Sequence, residues 1–311
     1  MKRNVIPEVA ILLCTYNGQR YLSAQLDSIA AQTYPNWGVW ASDDGSQDNT
    51  LSILAEYRSK WSDGCLAIAQ GPQKGFVANF LSITCNAAIH AEYYAFCDQD
   101  DVWEADKLQR AIDWLKSVPA DVPALYGSRT RLVDEQGTAV GFSPLFSRPP
   151  CFANALTQNV ASGNTMVFNA AARALLLEAG DDVDVVAHDW WAYMVVTGCG
   201  GQVFYDPSPS VLYRQHDANV VGVDLSWVAL LAQVRKLWRG HFRQGNGQNI
   251  QALRRLQTRI LPECWRVLEI FDAARHRWLL PRLYGLLQSG VHRQRFSGNV
   301  SLLAAAILNK I

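Results

Sequence analysis

The chain has 311 residues, 49% of them hydrophobic and 18% charged, with a formal net charge of zero; this suits one large, well-buried domain, or a domain plus an appendage. Seven scattered cysteines without a CxxC pair argue against a zinc site or a disulfide framework and for reduced thiols in a cytosolic protein. No apolar run approaches the roughly 18–20 residues of a membrane span, and Lys2-Arg3 leads into a run broken at Pro7-Glu8, a poor signal peptide.

In chain order, Val9–Cys14 is a continuous apolar run, as in a parallel strand covered on both faces. Turn chemistry follows at Thr15-Tyr16-Asn17-Gly18, and a helix is predicted from about Tyr21 with Leu22, Leu26 and Ile29 on one face. A second strand, Trp37–Ala41, runs into Ser42-Asp43-Asp44-Gly45-Ser46, and Asp48 is the expected N-cap of a helix carrying Leu51, Leu54 and Tyr57. A third strand at Leu66–Ala69 leads through Lys74-Gly75 into a helix predicted over Phe76 to about Ile89. The fourth strand, Tyr93–Cys97, ends in Asp98-Gln99-Asp100-Asp101. Strand–helix alternation repeated in this way predicts a doubly wound parallel sheet with its ligands beyond the carboxyl ends of the strands.

The pattern then changes. A helix is expected at Asp106–Leu115, a strand at Ala124–Tyr126, and a hairpin over Ser128–Phe142 turning at Asp134–Gly137. A strand at Thr165–Phe168 and a helix through Leu175–Leu177 follow, then an acidic loop at Gly180–Asp184 and a helix opened by His188-Asp189-Trp190-Trp191. Strands at Gln202–Tyr205 and Ser210–Tyr213 lead to Arg214-Gln215-His216. The zero net charge hides an asymmetry: residues 1–222 hold 14 basic and 24 acidic side chains, residues 223–311 hold 14 and 4. The second part reads as basic amphipathic helices, with Trp227, Leu230, Leu231, Val234 and Trp238 striped beside Arg235, Lys236, Arg239 and Arg243.

Alternate residues of an extended chain point the same way, so Asp98 and Asp100 aim at one place. Two hard oxygen ligands at a cleft suit Mg²⁺ or Mn²⁺ carrying substrate phosphates. The residues alone leave a second reading open, a solvated acidic turn capping the next helix. Neither a dinucleotide fingerprint nor a P-loop is present.

The ordered series TYNG, SDDGSQDNT, CDQDDVWEADK, SGNTMVFN, HDWW and YRQHDANVVG resembles family 2 glycosyltransferases, closest to bacterial rhamnosyltransferase-like enzymes of surface-polysaccharide (O-antigen) synthesis. The resemblance implies a GT-A fold, an α/β, Rossmann-like, mostly parallel sheet with flanking helices over residues 1–222, here followed by a basic helical extension over 223–311. It implies an inverting, metal-dependent transfer of a sugar, rhamnose favoured, from a dTDP or UDP donor to a saccharide or lipid-linked acceptor. Asp189 would be the catalytic base, flanked by His188 where relatives often carry a second acid; an apolar surround raises such an Asp's pKa usefully. Asp43 and Asp44 would grip the nucleoside, with Thr15 and Asn17 shaping its pocket and Lys74 or Arg214 supplying a cation to phosphate. Asp100 is the expected direct ligand of Mg²⁺ or Mn²⁺, Asp98 serves the ribose or the metal, His216 completes the set, and Asp101 serves Lys107 or the helix start instead. Gly163, Asn164, Trp190 and Trp191 are expected to line the sugar and acceptor pocket.

The expected partners are therefore a nucleoside diphosphate sugar, a saccharide or lipid-linked acceptor, and an anionic membrane surface met by the C-terminal helices, with no nucleic acid. The expected location is cytoplasmic, peripheral on the inner face of the cell membrane. Transfer of another hexose is the nearest alternative. A sugar-phosphate nucleotidyltransferase would carry a Gly-rich basic N-terminal loop, which TYNGQR does not match. A haloacid dehalogenase-type phosphohydrolase would place its acidic motif on the first strand, not the fourth.

Overall fold

A computed structural model describes residues 7–215 and 241–311. The sheet core is built from β1 (Val9–Thr15), β2 (Trp37–Asp43), β3 (Leu66–Gln70) and β4 (Tyr93–Cys97), all parallel in the order β3-β2-β1-β4. The connecting helices are α1 (Leu22–Ala30), α2 (Thr50–Lys60) and α3 (Phe76–Thr84). β1 is buried along its whole length, as its unbroken apolar run requires. Its side chains alternate between two layers: Val9, Ile11 and Leu13 meet α1 and α4 (Lys107–Leu115), while Ala10, Leu12 and Cys14 meet the opposite helices.

Beyond β4 the sheet becomes mixed. β8 (Val167–Asn169) runs antiparallel to both β4 and β6 (Ala124–Val133), and β9 (Gln202–Arg214) runs parallel to β6. The remaining strands are β5 (Val102–Trp103), antiparallel to β9, and β7 (Ala139–Phe142), antiparallel to β6. The doubly wound parallel pattern thus holds only for the first four strands.

Several expected boundaries move for physical reasons. α3 stops at Thr84 and not near Ile89, its last turn closed by Cys85 N–H donating to Leu81. The strand and hairpin expected over 124–142 form one strand, β6, with β7 as its short return. The two strands expected at 202–213 are one, β9, which tolerates Pro207 and Pro209 because the β6 register shifts there, between Ser128 and Thr130. Asp48 caps α2 from one position upstream of the N-cap, Asn49, by accepting from Thr50 N–H.

α5 (Phe152–Ala155), α6 (Ala170–Ala179) and α7 (His188–Gly198) cover one face of the sheet. The described part of the C-terminal region forms α8 (His241–Leu253), α9 (Pro262–Arg275), α10 (Leu279–Ser289) and α11 (Phe296–Ile307). These helices do not stand apart. Leu253, Phe271, Leu286 and Leu302 join Phe80, Phe96, Phe168 and Met194 in a single apolar cluster. The expected boundary at 222/223 and the expected stripe from Trp227 to Arg239 lie outside the described residues. No described helix is long and apolar enough to cross a membrane.

Because Phe271 is fully enclosed in this shared cluster, Phe271→Ala should cost about 3–5 kcal/mol. It should also lower the unfolding midpoint of the whole chain. Differential scanning calorimetry would check this, with a separate early transition of the C-terminal helices as the contrary result.

Candidate active site

The carboxyl ends of β1, β2 and β4 bring three loops together, and side chains lock them to one another. Gln99, between the two outer acids of Asp98-Gln99-Asp100, pairs with the backbone of Tyr16: it accepts from Tyr16 N–H at 2.8 Å and donates to Tyr16 O at 2.9 Å. Gly18 makes that approach possible, since a Cβ there would sit 2.2 Å from Gln99 Oε1. Asn17, in the left-handed region at φ 48, accepts from Gln47 N–H through its side chain.

Asp43 and Asp44 are both buried. Asp43 accepts from Thr15 Oγ1 at 2.9 Å and from Ser46 Oγ and N–H, which closes the Asp-Gly turn. Asp44 accepts from Gln73 N–H at 2.6 Å and Gly75 N–H at 2.8 Å, holding the next loop with the exposed Lys74 between them. The pair expected to grip a nucleoside fixes the conformation of these two loops. Tyr16, singled out by no sequence argument, exposes its ring at this edge.

The acidic loop after β4 divides its labour. Asp101 is buried, accepting from Asn164 Nδ2 and, at 3.2 Å, from Arg214 N–H. Its charge acts on Lys107, and its hydrogen bonds add a cross-link between two distant segments. Lys107 is enclosed as well, with Nζ donating to Asn164 O at 2.7 Å and lying over the Trp103 ring; desolvation brings its pKa down to about 7. Asp98, half-buried, has its pKa pushed up to about 8 by desolvation and by the charges of Asp100 and Asp189. Arg214, offered by the sequence to a phosphate, has its guanidinium on Asp100 O, Glu135 O and the Tyr21 ring.

Asp189 lies in the first turn of α7 across from this loop. Its carboxylate accepts from Gly163 N–H at 2.9 Å and Trp190 N–H at 2.7 Å. Burial nevertheless pushes its pKa up to about 6 against these donors. His188 stacks on Phe80 with ring centroids 3.8 Å apart, and neither ring nitrogen has a hydrogen-bond partner among the described residues. Burial takes its pKa down to about 3, so it is a neutral neighbour where a second acid would repel.

Burial revises two pocket expectations, Asn164 and Trp191. Gly163 is small because a Cβ would meet His188 Nε2 at 2.7 Å and Asp189 at 3.2 Å, so it makes room for the helix start. Asn164 is fully buried, enclosed by Asp101 and Lys107. Trp191 is fully buried core, and the half-buried Trp190 spends its indole N–H on Ala155 O. His216 lies outside the described residues. Tyr213, missed by the sequence reading, is half-buried near the end of β9. Burial and the charges of Asp101, Asp98, Asp100 and Asp189 all raise its pKa; its one sequence signal was its place just before Arg214-Gln215-His216.

Among the described residues no three acidic, His or Cys side chains are grouped around one point as a complete metal cage. The donor chemistry still fits a hard divalent cation, because carboxylate repulsion that raises the Asp98 pKa is what a cation relieves.

A family model for glycosyl transferase family 2 matches residues 10–173. The chain is 30% identical over 240 residues to the dTDP-rhamnosyl transferase RfbG of Shigella flexneri, covering 73% of this chain and 80% of that protein. It is 29% identical over 120 residues to the Escherichia coli glucosyltransferase WfgD, named for transfer from UDP-Glc to a GlcNAc-diphosphoundecaprenol, covering 39% and 45% of the two chains. Among solved structures, Staphylococcus aureus TarS 1-349 in complex with UDP-GlcNAc matches 91% of this chain and 79% of its own, at TM-score 0.54 and 16% identity. GalNAc-T7 with UDP, GalNAc and Mn²⁺ matches 97% of this chain and 58% of its own, at TM-score 0.56 and 11% identity. Likenesses at these identities show a common fold.

Gly18→Ala would press a methyl group onto Gln99 and open the clamp between the β1 and β4 loops. It should cost about 1–3 kcal/mol. In Gly18→Ala/Gln99→Ala the clash is gone but both hydrogen bonds stay lost, so urea unfolding should recover only part of that cost.

Proposed function

The chain belongs to glycosyl transferase family 2, and on that footing we propose that it transfers a sugar, rhamnose from dTDP-rhamnose favoured, by a single inverting displacement onto a saccharide or lipid-linked saccharide acceptor of a surface polysaccharide. The observation that carries the reading is the pair of opposed acidic sites: Asp189, its pKa pushed up to about 6, faces a loop where Asp98 and Asp100 concentrate negative charge.

In this mechanism the acceptor hydroxyl lies against Asp189, which takes its proton as the oxygen attacks the anomeric carbon. The bond from that carbon to the diphosphate breaks on the opposite face, and the nucleoside diphosphate leaves with the electron pair. Gly163 and Trp190 N–H hold the carboxylate in register for the proton. Neutral His188 keeps Asp189 from sharing its charge with a second acid. A divalent cation held by Asp100 and Asp98, with His216 as a further ligand, would supply charge neutralisation at the departing diphosphate. Asp43, Asp44, Thr15 and Asn17 frame the nucleoside end, with Lys74 at its rim. The dTDP-sugar preference rests on the relative from Shigella flexneri. Peripheral association with an anionic membrane surface through the C-terminal helices belongs to the same reading.

Asp189→Asn should lower kcat by about 10²–10⁴-fold while leaving nucleotide affinity unchanged. Unchanged transfer would remove Asp189 as the base. Because the working form is the carboxylate, kcat/KM should fall about tenfold per pH unit below about pH 6 and level off above it. Thermal-shift measurements with Mg²⁺ or Mn²⁺ should give the larger stabilisation with dTDP-rhamnose; a larger shift with a UDP-hexose would move the donor assignment to that sugar.

A further inference from the structure

The basic C-terminal region invites the idea that its arginines meet anionic headgroups, but the described arginines are mostly used inside the protein. Arg255 is bidentate on Asp182, Arg259 sits on Glu178 and Arg254 on Asp272. Arg275 and Arg282 are buried, donating to Arg243 O and to Ala306 O with Arg277 O, and Arg293 lies over the Phe242 ring. What α10 and α11 turn outward is apolar. On α10, Leu280, Tyr284 and Leu287 follow helical spacing at 64, 67 and 78% exposure. On α11, Phe296 at 84% begins a second stripe through Val300, Leu303 and Ile307. These are the positions where a helix on a water-facing surface carries polar residues.

Each stripe opens on an exposed cation beside an exposed aromatic ring, Arg277-Trp278 before α10 and Arg295-Phe296 at the start of α11. Residues 273–311 hold six Lys and Arg and no acidic residue. The two helices lie side by side, tied where Arg282 reaches Ala306 O.

Resting on the peripheral-membrane part of the reading above, we infer that the outward faces of α10 and α11 dock this chain on an anionic lipid bilayer. Tyr284, Leu287, Phe296 and Val300 enter the interface, Trp278 sits at headgroup depth, and Arg277 and Arg295 meet lipid charge. Charge selects the bilayer over a second copy of the chain. Two copies joined through this face would set cation against cation with no acid between them, whereas an anionic leaflet complements it.

The test is sedimentation of the full chain with phosphatidylglycerol-containing vesicles and with pure phosphatidylcholine vesicles, at low and high salt. Wild type should pellet with the anionic vesicles. Tyr284→Glu/Leu287→Glu and Phe296→Glu/Val300→Glu should each weaken partitioning about tenfold or more. Arg255→Gln/Arg259→Gln, which sits on the acidic loop, should partition like wild type. Bromine-labelled phosphatidylglycerol should quench tryptophan emission measurably less in Trp278→Phe, a substitution that keeps the fold independent of the glutamate variants. Failure of wild type to bind any vesicle overturns this inference and the peripheral reading together. Binding that ignores the glutamate variants and the Trp278 change overturns this inference alone and leaves the peripheral reading standing. A wild-type dimer by light scattering that the glutamate variants split, without vesicle binding, gives the face to a second copy.

Discussion

Everything at the sheet's carboxyl edge follows from one electrostatic constraint, the gathering of Asp98, Asp100, Asp101 and Asp189 in a region partly shut off from water. Isolated carboxylates in such a place would take up protons or drive the loops apart. The fold answers unevenly. Asp101 has dedicated donors, Asn164 Nδ2 and Arg214 N–H, with Lys107 buried close by on Asn164 O, yet desolvation and the charges of Asp100 and Asp98 still push its pKa up. At Asp98, desolvation and then the charges of Asp100 and Asp189 push the pKa up to about 8. Asp189 keeps two N–H donors and still rises to about 6. The cost of burying these acids is thus borne together, at the edge where the proposed cation and acceptor proton would be handled.

The same constraint explains why neighbours in a motif of four consecutive polar residues have different surroundings. Gln99 turns away from the acids on either side and binds the backbone of Tyr16, so the loop is anchored by its uncharged member. Asp101 turns inward to join the β9 end and the turn before β8. A glycine at position 18 is the steric condition for the whole arrangement.

Much of the architecture was legible in the sequence because its signals are local. The continuous run Val9–Cys14 can only be a strand buried on both faces, and so it is. The loops that end β1, β2 and β4 carried their chemistry in short motifs. What escaped were features set by distant partners. β5, two residues long, exists because β9 passes beside it. β9 survives two prolines because the register on β6 shifts to accommodate them. The direction a carboxylate faces was also hidden: nothing near Asp43 or Asp44 announces that Thr15, Ser46, Gln73 and Gly75 would occupy them. Asn164 and Trp191 read as pocket residues because they neighbour Gly163 and Asp189 in sequence, yet one residue along a turn or a helix is enough to point a side chain into the core.

The opposite charges of the two halves of the chain are also explained by packing. The acidic end of α6 with the loop after it and the basic residues after α8 meet as Glu178–Arg259 and Asp182–Arg255, exposed pairs worth little individually. Their effect is orientation, because the energy lies beneath them, where Leu253, Phe271 and Leu302 share a core with Met194 and Trp191 of α7. Leu261 N–H also donates to Gly198 O at the end of that helix, at 2.9 Å. α7 carries Asp189 at its other end. The helix that aims the proposed base is therefore held between the sheet and the C-terminal helices, and a force applied to those helices has a packed route to the cleft.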